Sequence, residues 1–311
     1  GVLTRGQKPY DKLIEDKGKA ILLGLGYNEV MTYSFISPKA YNKINLSEDS
    51  KLRDSIKLIN PLGEDFSVMR TTLIPNMMEL LARNYNRGVE RVYAAEIGNI
   101  FIADKNSADN LPREEKVLSM GFYGGNDFYY LKESVETLLN RLGIYGCQYI
   151  REENNPTFHP GRTAKMVIDG YELGILGEIH MDVCENYNIN QRVYMAELDF
   201  EKIIDLADFE KKYTTLPKYP SSSRDIALVV DEEVLYGDIE NIVLKHGKEL
   251  VENIELFDIY RGDQVEKGKK SIAISILYRS HEKTLTDNEV NQIQDLIILD
   301  LENSLGGVLR S

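Results

Sequence analysis

Between residues 225 and 310 the hydrophobic period switches repeatedly, and the order of those switches leaves few folds open. Asp225 to Asp231 and Lys269 to Tyr278 alternate apolar with polar residues, and Val251 to Tyr260 is a third extended run. Tyr236 to His246 and Thr286 to Ser304 repeat at helical spacing, and Val308 to Arg310 is a last short strand. The order is βαββαβ, a split ferredoxin-like unit. Both helices of such a unit cover one face of the sheet and leave the other open. Side chains alternate along a strand, so parity assigns the faces. Ile226, Leu228, Val230, Phe257, Ile259, Ile272, Ile274, Ile276 and Tyr278 are expected in the core. Asp225, Ala227, Val229, Asp258, Tyr260, Ser271, Ala273 and Ser275 are expected on the open face. An aromatic ring flanked by hydrogen-bonding groups and small neighbours is how sheets hold unstacked RNA bases. The competing reading is that Tyr260 merely ends a strand and Asp258 and Ser271 face plain solvent.

Upstream the pattern is more mixed. Thr4 is expected to cap a helix over Gln7 to Leu25, with Leu13, Ile14, Ile21 and Leu25 on one face and Gly26 as its stop. Glu29 to Ile36 reads as one strand, and residues 45–65 as loop with a turn at Asn60-Pro61-Leu62-Gly63. A helix over Pro75 to Asn86 should bury Met77, Met78, Leu80 and Leu81. Arg91 to Ile102 and Val117 to Tyr123 read as strands separated by a polar loop, followed by an amphipathic helix over Tyr129 to Leu142. A hairpin turns at Gly170, and Val193 to Phe200 is another strand. Several antiparallel strands with few helices make the class α+β. The pattern lapses over Leu206 to Pro220, which places a domain boundary there, between residues 1–209 and 216–311.

Several function classes fall away. The chain has 311 residues, and its longest uncharged apolar runs are far short of the roughly 20 residues of a membrane span. Two cysteines, Cys147 and Cys184, build no disulfide framework and no Cys-rich zinc site. No phosphate loop, dinucleotide fingerprint, zinc-protease pair or nucleophile elbow is present. Four histidines, His159, His180, His246 and His281, leave little room for imidazole chemistry, and His246 reads as a solvated helix-end cation. Thirty-seven basic against 50 acidic residues give a net charge of −13, so no large basic surface awaits nucleic acid. Any such partner must be held by local geometry or jointly with another chain.

The segments KYPSSSRDIALVV, LFDIYRG, GKKSIAISILY, TLTDNEV and the terminal LR resemble the ferredoxin-fold anticodon-binding domain that closes the β subunit of bacterial phenylalanyl-tRNA synthetases. GYNEVMTYSFISP, NPLGEDFSVMRTTLIPNMMELLARNYNRG, AAEIGNIF, FHPGRTA and LGEIH resemble the catalytic-like module of the same subunit. The resemblance runs in order along essentially the whole chain, as the C-terminal part of that subunit. It implies a class II synthetase-like module that lacks the chemistry, followed by the anticodon-binding domain. It also implies a cytoplasmic (αβ)2 heterotetramer whose α subunit joins phenylalanine to tRNA(Phe) with ATP and Mg2+. No membrane or DNA partner is implied. The family's editing and N-terminal tRNA-binding domains would lie upstream of Gly1, so this chain is expected neither to edit nor to bind a metal or cofactor itself.

The positions matching the family's anticodon contacts are Ala227, Asp258, Tyr260 and Ser271, all on the face that parity leaves open. Tyr260 would stack on a base, Asp258 and Ser271 would bond base edges, and Ala227 would leave room. Arg70, Glu96, His159 and Arg162 lie in the strongest motifs of the first region; they are expected to be structural, with ordering of the α-subunit interface as the alternative. No catalytic residue is expected. Near AAEIGNIF the nearest arginine is Arg91, badly spaced before Glu96, and Gly174 to Glu178 offers a carboxylate where a class II enzyme needs an arginine. That carboxylate is expected to repel triphosphate. Residues 216–311 carry 11 basic and 18 acidic residues, a net −7, so tRNA affinity is expected mainly from the assembled enzyme unless Lys218, Arg224, Arg261, Lys269, Lys270 and Arg279 share one rim. The competing identity is a free-standing regulator that binds a small ligand through the ferredoxin-like domain.

Overall fold

The structure, a computed structural model, describes residues 6–104, 111–210, 213, 215–262 and 264–310. The chain divides into two compact units, Gly1–Lys211 and Lys212–Ser311. The cap expected at Thr4 lies outside the described residues, as does most of the loop before residue 111.

The first unit is built on a seven-stranded sheet. Its strands are β1 (Asn28–Glu29), β4 (Val92–Ile102), β5 (Arg113–Tyr123), β9 (Val193–Asp199), β8 (Tyr171–Ile179), β7 (Phe158–Ile168) and β6 (Gln148–Arg151), in that spatial order. The pairings are antiparallel except β1 with β4, a parallel strand at the edge. Helices α1 (Tyr10–Gly24), α4 (Phe128–Arg141) and α6 (Phe200–Leu206) cover one face, burying Leu118, Met120, Phe122 and Leu198. Helices α3 (Ile74–Tyr85) and α5 (Met181–Asn186) cover part of the other, where Met77, Met78 and Leu81 meet Tyr123 and Met195. The approach of α3 is set by Gly121, where a Cβ would lie 2.7 Å from Met77 Cγ.

Two expectations are corrected here, and two elements are added. The buried stripe of α1 is Ile14, Glu15, Gly18 and Leu22; Leu13 is exposed, because Gly18 lets the helix close on Phe200 along that line. The single strand over residues 29–36 is two short ones, β1 and β2 (Phe35–Ile36), the latter pairing with β3 (Val68–Met69) beside the short helix α2 (Ala40–Lys43). Between them the chain leaves the ladder so that Thr32 can bond Glu96, and Met31 turns outward. β6 and α6 were not legible: the first is short and half polar, the second a two-turn helix capped by Asp199.

The second unit is a four-stranded antiparallel sheet, spatially β11 (Val251–Tyr260), β12 (Lys269–Tyr278), β10 (Ser222–Asp231), β13 (Val308–Leu309), with α7 (Tyr236–Gly247) and α8 (Asp287–Leu305) on one face. The apolar parity residues of β10 and β12 pack with Ile239, Val243, Val290, Ile297 and Leu301. Each fully buried aliphatic side chain of this kind is worth roughly 1.5–3 kcal/mol. α8 begins at a capping box, Thr286 with Glu289, and ends where Gly306 takes a left-handed φ of 62°. His246, expected in solvent, holds Asp300 of the neighbouring helix at 2.6 Å. Among the described residues no helix is long and apolar enough to cross a membrane.

Candidate nucleic-acid interface

The open face of the second unit is organised in rows across its four strands. Tyr260 pairs with Ser271, Ser271 with Val229, and Val229 with Val308. In the next row Asp258 pairs with Ala273 and Ala273 with Ala227, whose carbonyl accepts the Arg310 amide at 2.8 Å. Tyr260, Asp258, Ser271 and Ala227 therefore share one face, opposite α7 and α8.

Two features of this face differ from expectation. Phe257, expected in the core, is 56% exposed. Leu256 opposes Ile274 and Asp258 opposes Ala273, so Phe257 is the extra residue of a β-bulge. Ile259, opposite Ile272, is also partly exposed at the sheet edge. Ser271 lies on the expected face but is only 4% exposed. The Arg310 guanidinium stands 5.3 Å from the Tyr260 ring centroid, and its Nη2 donates to Gln264 Oε1 at 2.5 Å. Arg310 and Tyr260 come from opposite edges of the sheet, so their side chains meet over the small residues of β12 and β10. A cation on an exposed aromatic face is worth about 0.5–1 kcal/mol; a nucleobase there is worth about 1–3 kcal/mol.

Of the six cations expected to form a rim, five are engaged within the unit, and Lys218 is exposed with no ion pair among the described residues. Arg224 bonds Asp287, Arg261 bonds Glu232, Lys269 pairs with Glu266, and Arg279 bonds Glu252. Lys270 is buried and donates to the Glu232 carbonyl at 2.7 Å, its pKa lowered by that burial.

In the first unit the motif residues are brought together in two ion-pair sites. Arg70 and Glu96 are 2% and 3% exposed, with Nη1 3.1 Å from Oε1. Arg70 also donates to Thr32 Oγ1 at 2.8 Å and to the Asn99 carbonyl at 2.9 Å, while Thr32 Oγ1 donates to Glu96 at 2.6 Å. Burial lowers the Arg70 pKa, opposed by Glu96. Glu178, expected as a bare repulsive carboxylate, is buried and held by Arg162 at 2.9 and 3.0 Å, with Arg192 at 3.7 Å. Sequence reasoning missed this because the pairing of Arg162 with Glu178 depends on the register shift within the β7–β8 hairpin, which the pattern does not show. His159 Nδ1 accepts the Gly161 amide at 3.0 Å, shaping the turn that presents Arg162.

A cleft of about 570 Å³ opens on the sheet of this unit. Its walls include Glu115, Glu152, Glu172, Glu197, Asp199 and Lys165. Lys165 is engaged by Glu152 at 3.1 Å and Glu172 at 3.5 Å. Burial raises the Glu197 pKa, against hydrogen bonds from Thr72 Oγ1 and the Leu73 amide. So acidic a lining does not suit a triphosphate. Among the described residues no group of three or more His, Cys, Asp or Glu is placed to hold a metal.

The fold is that of an aminoacyl-tRNA synthetase. A crystal structure of pyrrolysyl-tRNA synthetase from Desulfitobacterium hafniense aligns with a TM-score of 0.53 at 19% identity, covering 63% of this chain and 69% of that one. A second structure from that organism, PylSc, aligns with a TM-score of 0.52 at 19% identity, over 63% of this chain and 66% of that one. The sequence is more specific. Residues 1–200 match the phenylalanyl-tRNA synthetase β chain CLM domain and residues 217–310 the ferredoxin-fold anticodon-binding domain, and the chain belongs to the phenylalanyl-tRNA synthetase β-chain family. The phenylalanine–tRNA ligase β subunit of Clostridium acetobutylicum is 46% identical over 96% of this chain and 37% of its own length. That of Clostridium tetani is 46% identical over 99% and 39%, and that of Carboxydothermus hydrogenoformans 38% identical over 100% and 40%. The chain thus spans about two fifths of the length of these relatives. Family membership sets aside the free-standing small-ligand regulator.

Proposed function

We propose that this chain serves a phenylalanine–tRNA ligase as the part of its β subunit that carries a catalytic-like module (residues 1–209) and an anticodon-reading domain (residues 216–311). The observation that carries the reading is the shared face of Tyr260 and Asp258 over Ala227 and Ala273, turned away from both helices. Tyr260 stacks on an anticodon base of tRNA(Phe), Asp258 accepts from a base edge, and the alanines let the base lie flat. Ser271 joins them once its cover moves.

The first module packs against the catalytic α subunit in an (αβ)2 assembly. Supporting this, Met31, Tyr33, Ile59 and Leu62 are 91%, 73%, 95% and 90% exposed, more apolar surface than a lone module tolerates well. Arg70, Glu96, His159 and Arg162 shape the module rather than react. ATP and Mg2+ act outside this chain; the acidic cleft and the fully engaged Arg70 support that division.

The test is tRNA binding by the assembled ligase, comparing tRNA(Phe) with a version bearing a changed anticodon. Tyr260→Ala is expected to weaken binding of the native tRNA about tenfold, a loss within the range of one base stack, and to erase most of the preference between the two. Equal loss for both tRNAs overturns the reading.

A further inference from the structure

The base platform is not bare in the RNA-free chain. Arg310 reaches it from the β13 edge, its amide tied to Ala227 and its guanidinium to Gln264 and the Tyr260 ring. Below that contact Ser271 is sealed from water. Arg224, Arg261, Lys269 and Arg279 are each engaged with a carboxylate; Lys218, Lys248 and Lys267 are not, but among the described residues of this unit Arg310 is the cation that stands over an aromatic ring. Arg310 differs: its partners among the described residues are an aromatic face and a neutral amide. Asp258, on the same face, would repel an approaching phosphodiester unless a cation stood beside it.

We propose that Arg310 is an exchangeable cover of the nucleobase site, holding the Tyr260 ring until a base takes that face and then pairing with the phosphodiester of the bound RNA. This rests on the anticodon reading above and adds a second function to the face. The exchange is favourable because a base covers a tyrosine ring more fully than a guanidinium does, while the displaced guanidinium gains a charged acceptor in place of an uncharged one. A flat guanidinium suits both tasks, since it stacks on rings and forks onto phosphate oxygens. The exchange keeps a partly exposed tyrosine covered in a domain of net −7 and provides the positive charge where the backbone must pass.

The experiment measures tRNA(Phe) binding by the assembled ligase across a salt series, with native and changed anticodons, for wild type, Arg310→Ala, Arg310→Lys and Tyr260→Ala. Loss of one phosphate contact lowers the slope of log K against log salt by about 0.7 and weakens binding about fivefold at 0.1 M salt. Arg310→Ala is expected to show both while leaving the preference between the two tRNAs intact, and Arg310→Lys to keep the wild-type slope. Tyr260→Ala is expected to do the reverse, losing the preference and keeping the slope. An unchanged slope in Arg310→Ala, or tighter binding by it, overturns the inference while a lost preference in Tyr260→Ala leaves the anticodon reading standing. A Tyr260→Ala variant indistinguishable from wild type on both tRNAs removes the anticodon reading and the inference with it.

Discussion

Replacing Arg70 with methionine separates a structural arginine from one held in readiness for a partner. The guanidinium is 2% exposed and meets a carboxylate that is 3% exposed. Arg70→Met leaves Glu96 buried with Thr32 as its remaining ligand, and strips a donor from the Asn99 carbonyl. Breaking a buried pair by removing one partner costs about 3–5 kcal/mol, because the orphaned charge stays desolvated. With a slope of about 2 kcal/mol per molar urea, the unfolding midpoint of the first unit should fall by roughly 2 M. The chain contains no tryptophan, so tyrosine fluorescence and far-ultraviolet circular dichroism follow the transition, with amide exchange in β4 and β5 assigning it to this unit. The double variant Arg70→Met, Glu96→Leu removes both charges and should recover most of the loss. A midpoint within about 0.3 M of wild type for the single variant would show that the pair contributes nothing to the fold and would move Arg70 to the interface role.

Other consequences are open to measurement. Burial works against ionisation of Glu15, but Lys116, Lys12 and Lys19 outweigh it and bring its pKa down to about 2. Its folded-state pKa lies below its unfolded one, so its contribution is complete above about pH 4.5 and disappears as pH falls toward 2; Glu15→Gln should cost up to about 3 kcal/mol at neutral pH and nothing at pH 2. A pH-independent difference in unfolding free energy would contradict this. Gly121→Ala places a methyl group against Met77 and Leu81 and should destabilise the first unit by about 1–3 kcal/mol, read as a lowered Tm. Phe257→Ala should cost under about 1 kcal/mol, whereas a core phenylalanine would cost about 3–5 kcal/mol in the same denaturation assay.

The second unit was legible almost element by element because its pattern is local: alternating strands, a capping box and a left-handed glycine each announce themselves within a few residues. The α+β class of the first unit was legible for the same reason. What escaped was decided beyond the local pattern. Arg70 and Glu96 become partners only when separate elements are brought together, and Glu178 meets Arg162 only in the irregular register of the β7–β8 hairpin. The stripe of α1 was misjudged by one position because Gly18, not an apolar residue, is its point of closest contact. The face of Ser271 was legible from parity, but its burial was not, nor was the contact of Arg310 with Tyr260, since nothing local links residue 310 to residue 260. Phe257 had a signal that parity alone passed over: Ile254 and Leu256 keep step with each other but not with Ile259, a stumble that requires one unpaired residue between them.

That stumble decides which side of the strand Asp258 and Tyr260 present. Were the strand regular from Leu256 onward, Asp258 and Tyr260 would point toward α7 and α8, into oil, and the alternate side chains would look out at the RNA. A strand that kept every residue but absorbed the bulge into regular pairing would keep the same composition and the same hairpin partner, yet turn Asp258 and Tyr260 inward. The outward side of Asp258 and Tyr260 thus depends on a miscount of one in the pleat, which no inspection of those two residues alone would disclose.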